Sequence, residues 1–268
     1  MSDAPRILSR RDAFTAVAAL ATAAALPSTV ESTALAAPPA TSQLTPSSAH
    51  QLNALLSRLA RAPRRRSFNA LPMILTDPGQ WDDEALQELF AYPVAYKQVV
   101  DNTDIAGLWL DRIGTTLNAQ IWSFRHPDFL SVSATHGTAQ IALYDQITWD
   151  KYQLARLAGG SFKRNTLIEA TSAAAGNPAD FEDPAGVFSP ADNTIPALMR
   201  RGVVFLACHD EAWQLAATLQ RTDINPDRRN QQQLTAELIN HLIPGVILTP
   251  NVTATLSELV RVGFQYLK

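Results

Sequence analysis

Apolar and polar positions follow two different periods along this chain, and the switches between them mark out the elements. Residues 51–61 (QLNALLSRLAR) place Leu52, Leu55, Leu56 and Leu59 on one helical face, which predicts a short helix packing on the domain. From residue 97 onward strand and helix signals alternate. Residues 97–100 (KQVV) read as a strand, and residues 105–124 carry Leu108, Leu110, Ile113, Leu117 and Ile121 at helical spacing. A second strand is predicted over 129–135 and a second long helix over 141–157. The unbroken apolar run 203–207 (VVFLA), preceded by Gly202, is the mark of a strand buried on both faces. Around it the pattern predicts helices at 193–200, 209–219, 234–242 and 252–262, and strands at 245–248 and 264–267. Between Gly159 and Asp192 neither period holds. Glycine and proline punctuate that stretch, which is expected to be a long loop acting as a lid or edge flap.

Strands separated by helical patterns require crossover connections, so the sheet is mostly parallel and covered on both faces. The expected fold class is α/β, a three-layer α/β/α sandwich around a mostly parallel five-stranded sheet. The domain proper is expected over 71–268. Ahead of it, 37–70 reads as a linker of Ala, Pro, Ser and Thr followed by the short helix. Composition agrees with one globular domain: 268 residues, 46% hydrophobic and 18% charged, leave room for a sizeable core.

Residues 1–36 have the layout of a signal peptide. The basic pair Arg10 and Arg11 precedes an Ala-rich apolar stretch from Ala13 to Leu26, and Ala34-Leu35-Ala36 offers a small-residue cleavage site. The apolar stretch is shorter than the roughly 20 residues a permanent membrane helix needs, so no stable membrane insertion is expected after processing. The segment SRRDAF resembles a twin-arginine export signal, with Phe14 one place later than usual. A periplasmic or secreted location is expected. The single Cys208 then makes no intrachain disulfide, and its thiol is either shielded or used.

A formal net charge of −3 argues against a protein that grips phosphate backbones, so nucleic acid is not an expected partner. The one basic run, 58–66 (RLARAPRRR), reads first as a solvated linker and second as a contact for anionic lipid or an acidic partner.

Candidate chemistry follows from topology. Open parallel sheets bind ligands beyond the carboxyl ends of their strands. Applied here, the rule nominates Asp101 and Asn102 after the first strand, His136 after the second, Cys208 and His209 after the third, and Asn251 after the fourth. Cys208 sits where a strand hands over to a helix, so free N–H groups favour a thiolate while Asp210 and Glu211 oppose it. The alternative is a small buried hydrophobe filling the strand end. Cys208, His136, His209 and His126 are also conceivable zinc or copper donors, but no HxxxH or CxxC spacing supports a metal, and no cofactor is expected. Phosphate loops and the GxSxG nucleophile elbow are absent from the sequence. The five tryptophans lie at helical positions and read as core.

Several segments carry a family resemblance. GVVFLACHDEAWQLA, followed by LIPGVILTPNVTATLSELVRVGFQYLK, resembles the closing pattern of the DsrE/DsrF-like superfamily. YKQVVDNTD, THGTA with YDQITWDKY, and GNP at 176–178 resemble an exported branch of that group. The resemblance implies the α/β fold, a persulfide-carrying role for Cys208 and a possible homo-oligomer. The export signal, the long 159–192 insertion and His209-Asp210 depart from the pattern. Two functions are thus expected: binding or relay of a small sulfur species through Cys208, with His136 and His209 polarising it, or a non-catalytic module for a small ligand, metal or protein in which Cys208 packs.

Overall fold

The computed structural model describes residues 43–159, 162–177 and 179–268; the signal-peptide reading of 1–36 and Pro178 of the GNP segment lie outside the described residues. Five strands form one sheet: β1 (Lys97–Asn102), β2 (Leu130–Thr135), β3 (Val204–Cys208), β4 (Ile247–Thr249) and β5 (Gln265–Leu267). Their order is β4-β3-β2-β1-β5, and every pairing is parallel. The expected five-stranded parallel sheet is therefore present. Helices cover it on both faces, as they must when each parallel connection crosses over.

Alternation along the strands divides the core in two. Val99, Leu130, Val132, Ala134, Val204, Leu206, Cys208 and Ile247 face α1 (His50–Arg61), α2 (Asp83–Phe90) and α9 (Val252–Arg261). Val100, Val203, Phe205, Ala207 and Leu248 face the other layer. That layer holds α3 (Trp109–Asn118), α4 (Gln146–Lys151), α5 (Ala155–Ala158), α6 (Ile195–Arg200), α7 (His209–Arg221) and α8 (Gln231–Asn240). Among the described residues no helix is long and apolar enough to cross a membrane.

One feature of the sheet is not apolar. Between β1 and β2 runs a buried polar seam in which Gln98 Nε2 donates to Ser131 Oγ at 3.0 Å and Asn102 Nδ2 donates to Ser133 Oγ at 2.8 Å. Ser133 Oγ in turn shares a proton with Thr135 Oγ1 at 2.8 Å. These pairs follow the strand register, in which Gln98 aligns with Ser131 and Asn102 with Thr135.

The elements differ from expectation in three places. The long helix expected over 141–157 is broken into a 3-10 segment (Gly137–Leu143), α4 and α5. Asp145 causes the break, since its side chain accepts from the Thr148 N–H at 2.8 Å and starts a new helix there. The helix expected from 105 begins only at Trp109, because Asp104 Oδ1 accepts from the Ala106 N–H at 3.0 Å and turns the chain first. The third difference is α2, which the sequence reading did not mark; Ala85, Leu86 and Leu89 are buried on its inner face. The 159–192 stretch contains only short 3-10 turns among its described residues.

The basic run is tied down by α2 and the residue before it. Arg66 Nη2 reaches Asp82 Oδ2 at 3.0 Å, Arg65 pairs with Glu84 and Arg58 with Glu88. Asp82, fully buried, also accepts from Leu248 N–H at 2.8 Å and Arg65 N–H at 2.8 Å. Its own N–H donates to Leu248 O at 3.2 Å, so this segment seals the outer edge of β4.

Candidate functional site at the carboxyl edge of the sheet

The strand ends bring Asp101 and His136 together. Thr135 aligns with Asn102, and the His136 N–H continues the ladder to Asn102 O at 3.0 Å. Both side chains emerge on one face, where His136 Nε2 meets Asp101 Oδ1 at 2.7 Å. Tyr266, arriving on β5, donates its hydroxyl to Asp101 Oδ2 at 2.8 Å. A carboxylate held this way fixes the ring and the Nε2–H tautomer of the neutral imidazole, leaving Nδ1 as an acceptor. The His136 side chain is 23% exposed, so this histidine is reachable from solvent.

After His136 the chain turns sharply. Gly137 has φ +56, and a Cβ there would lie 2.6 Å from the Thr103 carbonyl oxygen, so only glycine fits. Its N–H donates to Glu211 Oε2 at 2.9 Å, which ties the turn to the first turn of α7. Gln140, one helical turn on, is fully committed. Its Oε1 accepts from the Cys208 N–H at 2.7 Å, while Nε2 donates to Cys208 O at 2.9 Å and Tyr144 OH at 3.1 Å. Between the 137–141 segment and the α7 face from Glu211 to Thr218 lies an open pocket of about 250 Å³, with Leu157 on its far wall. It occupies the position that parallel sheets give to ligands.

Cys208 ends β3 beside this machinery but faces the α9 layer. Extending the β2–β3 register by one residue sets its backbone beside that of His136. The residue is only 5% exposed and shares an apolar cluster with Leu206, Ile247 and Val252. Its Sγ accepts from two backbone N–H groups, Glu211 at the start of α7 and Val252 at the start of α9, each at 3.4 Å. Burial pushes the thiol pKa above its ordinary value and outweighs those two donors, with Asp210 and Glu211 adding to the rise.

The other nominated residues go elsewhere. Asn102 points to the opposite face and belongs to the polar seam. His209 is buried, its ring set against the Pro72 backbone and its Nε2 without a hydrogen-bond partner, and burial lowers its pKa to about 4. Asn251 caps α9 through Oδ1, which accepts from the Ala254 N–H at 2.9 Å. His126 lies at the opposite edge, stacked on Tyr96 at 3.5 Å between ring centroids. Among the described residues no group of three or more His, Cys, Asp or Glu side chains is arranged to hold a metal ion.

Sequence reasoning missed Tyr266, the Glu211–Gly137 tie and the Gln140 clamp. Tyr266 carried a signal in being a polar-tipped aromatic on a closing strand, whereas the other two depend on how α7 docks and left none. Comparison with models of protein families, with curated proteins and with solved structures finds no match for this chain.

Proposed function

We propose that this protein is a non-catalytic small-ligand binding module working at the carboxyl edge of its sheet, with Cys208 in a packing role. The observation that carries the reading is the contrast at that edge. Asp101–His136 is preorganised and reachable on the α9 side of the edge and a pocket of about 250 Å³ opens on its α7 side, while the thiol is 5% exposed. Its place is the exported branch of the DsrE/DsrF-like proteins, secreted or periplasmic through residues 1–36. A second reading, relay of a small sulfur species through Cys208, rests on the two helix N-termini that offer N–H groups to Sγ. A persulfide anion there would be held by the same two donors.

One set of measurements separates them. Fragment binding to the ¹⁵N-labelled full chain is expected to shift the amides of 137–141 and 211–218. A Cys208→Ala variant is expected to keep those shifts while losing about 1–2 kcal/mol of stability through the emptied volume. Relay instead predicts rapid labelling of the folded thiol and a gain of one sulfur by intact mass after incubation with a persulfide donor. Fragment shifts that map only to other faces would remove the binding reading.

A further inference from the structure

The pocket between the 137–141 segment and α7 has a lopsided set of polar groups. Its hydrogen-bond donors are largely used by the fold. Thr138 Oγ1 points its proton at Thr103 O at 3.4 Å, and both N–H bonds of the Gln140 amide go to Tyr144 and Cys208. Gln214 donates from Nε2 to Asp210 Oδ2 at 3.0 Å, which fixes the amide so that Oε1 is left as an acceptor. The Glu211 carboxylate spends Oε2 on the Gly137 N–H, and no hydrogen bond among the described residues engages Oε1. The pocket therefore presents two uncommitted acceptor oxygens, Glu211 Oε1 and Gln214 Oε1, beside the Thr218 hydroxyl and the second Gln214 N–H.

Charge points the same way. Among the described residues Glu211 is the only ionisable one lining the pocket, and Asp210 adds a second negative charge beside it. The nearest cation in this helix, Arg221, is exposed and bonds Thr218 Oγ1 at 3.2 Å from the solvent side. Arg221 lies ten positions along the helix from Glu211, about 15 Å of rise. An anion entering beside Glu211 would meet repulsion from both carboxylates, with only the neutral Thr218 hydroxyl and Gln214 amide to offset it. Ile141, Leu157 and Leu215 supply the pocket's apolar lining.

From this asymmetry we propose that the pocket takes a small organic cation, an amine with a compact apolar body. Its ammonium donates to Glu211 Oε1 and Gln214 Oε1 while its carbon skeleton lies on the Ile141, Leu157 and Leu215 lining. The inference rests on the edge-binding reading above and narrows it to a ligand class.

The test uses three probes of one shape on the ¹⁵N-labelled full chain: 3-methylbutylamine, the neutral 3-methylbutan-1-ol and the anion 4-methylpentanoate. The amine is expected to shift Gly137 and the α7 amides and to bind more tightly than the alcohol, with the carboxylate weakest. Glu211→Gln keeps an acceptor for the Gly137 N–H but removes the charge, and should weaken amine binding about tenfold without changing the alcohol. Thr218→Trp fills the pocket without touching the carboxylate and should abolish the shifts, which keeps the test decisive if Glu211→Gln misfolds. Equal or tighter binding of the carboxylate, or an amine indifferent to both variants, overturns the ligand class. If all three probes are silent while other fragments still map to the edge, the class fails and the site reading stands. Silence from the whole fragment set removes the site itself.

Discussion

His209 and His241 titrate in opposite senses because of what surrounds each ring. Burial lowers His209 to about 4 from an ordinary 6.5, so between those values the unfolded chain binds a proton that the folded one does not. Stability from this group is intact above pH 6.5 and lost as pH falls through the window, by about 3 kcal/mol at most. His241 is raised, first by its hydrogen bond to Asp145, so its contribution is present at low pH and fades as pH rises through the raised value. Denaturant melts at pH 7 and pH 4.5 are expected to show the loss, and His209→Leu should flatten it; an unchanged slope would mean His209 is not the group responsible. At this scale the sequence was half legible. Strand-end position nominated Asp101 and His136 among six rim residues, because parallel strands deliver their last residues to one edge, but their pairing emerged only from the structure. The same rule misplaced Asn102, one residue further along and so on the opposite face, and His209, whose ring turns toward Pro72. Asn251 had an ordinary signal that went unread: Asn ahead of an apolar-periodic run is an N-cap.

Strands were the most readable elements and long helices the least. β3 showed itself as an apolar run because a strand buried on both faces has no polar alternation to lose. The expected 141–157 helix was periodic enough to pass for one element, yet an internal Asp145 cap and Gln153 at φ +49 break it. Its first half coils instead as the segment that follows Gly137 and frames the pocket. That arrangement makes Gly137 the hinge point of the site. Gly137→Ala forces a Cβ against the Thr103 carbonyl at 2.6 Å in a left-handed conformation, and should cost about 2 kcal/mol or more in a urea melt. In the folded fraction, amide shifts should spread through 136–141 and the start of α7. A melt indistinguishable from the parent protein would show that the turn relaxes freely.

For the whole molecule, the segment before the first strand belongs to the fold it precedes. Leu52, Leu55 and Leu59 of α1 are buried against the sheet, and Asp82 stitches the 65–66 backbone and guanidinium to β4. The basic run had read as a solvated linker because the acidic partners that pair with it lie on an unmarked helix. Asp82→Ala leaves Arg66 and two N–H groups facing a vacated carboxylate site. It is expected to cost about 3 kcal/mol, read as a lower urea midpoint. No drop would mean that water replaces the carboxylate there. The Gln98–Ser131 and Asn102–Ser133–Thr135 seam bears on how the sheet finds its alignment. Sliding β1 by a single position along β2 would turn both amides toward aliphatic neighbours and strand three hydroxyls without mates. Correct pairing at the centre of this sheet is thus enforced by a lock-and-key of small polar groups, which oil-like packing by itself would leave free to slip.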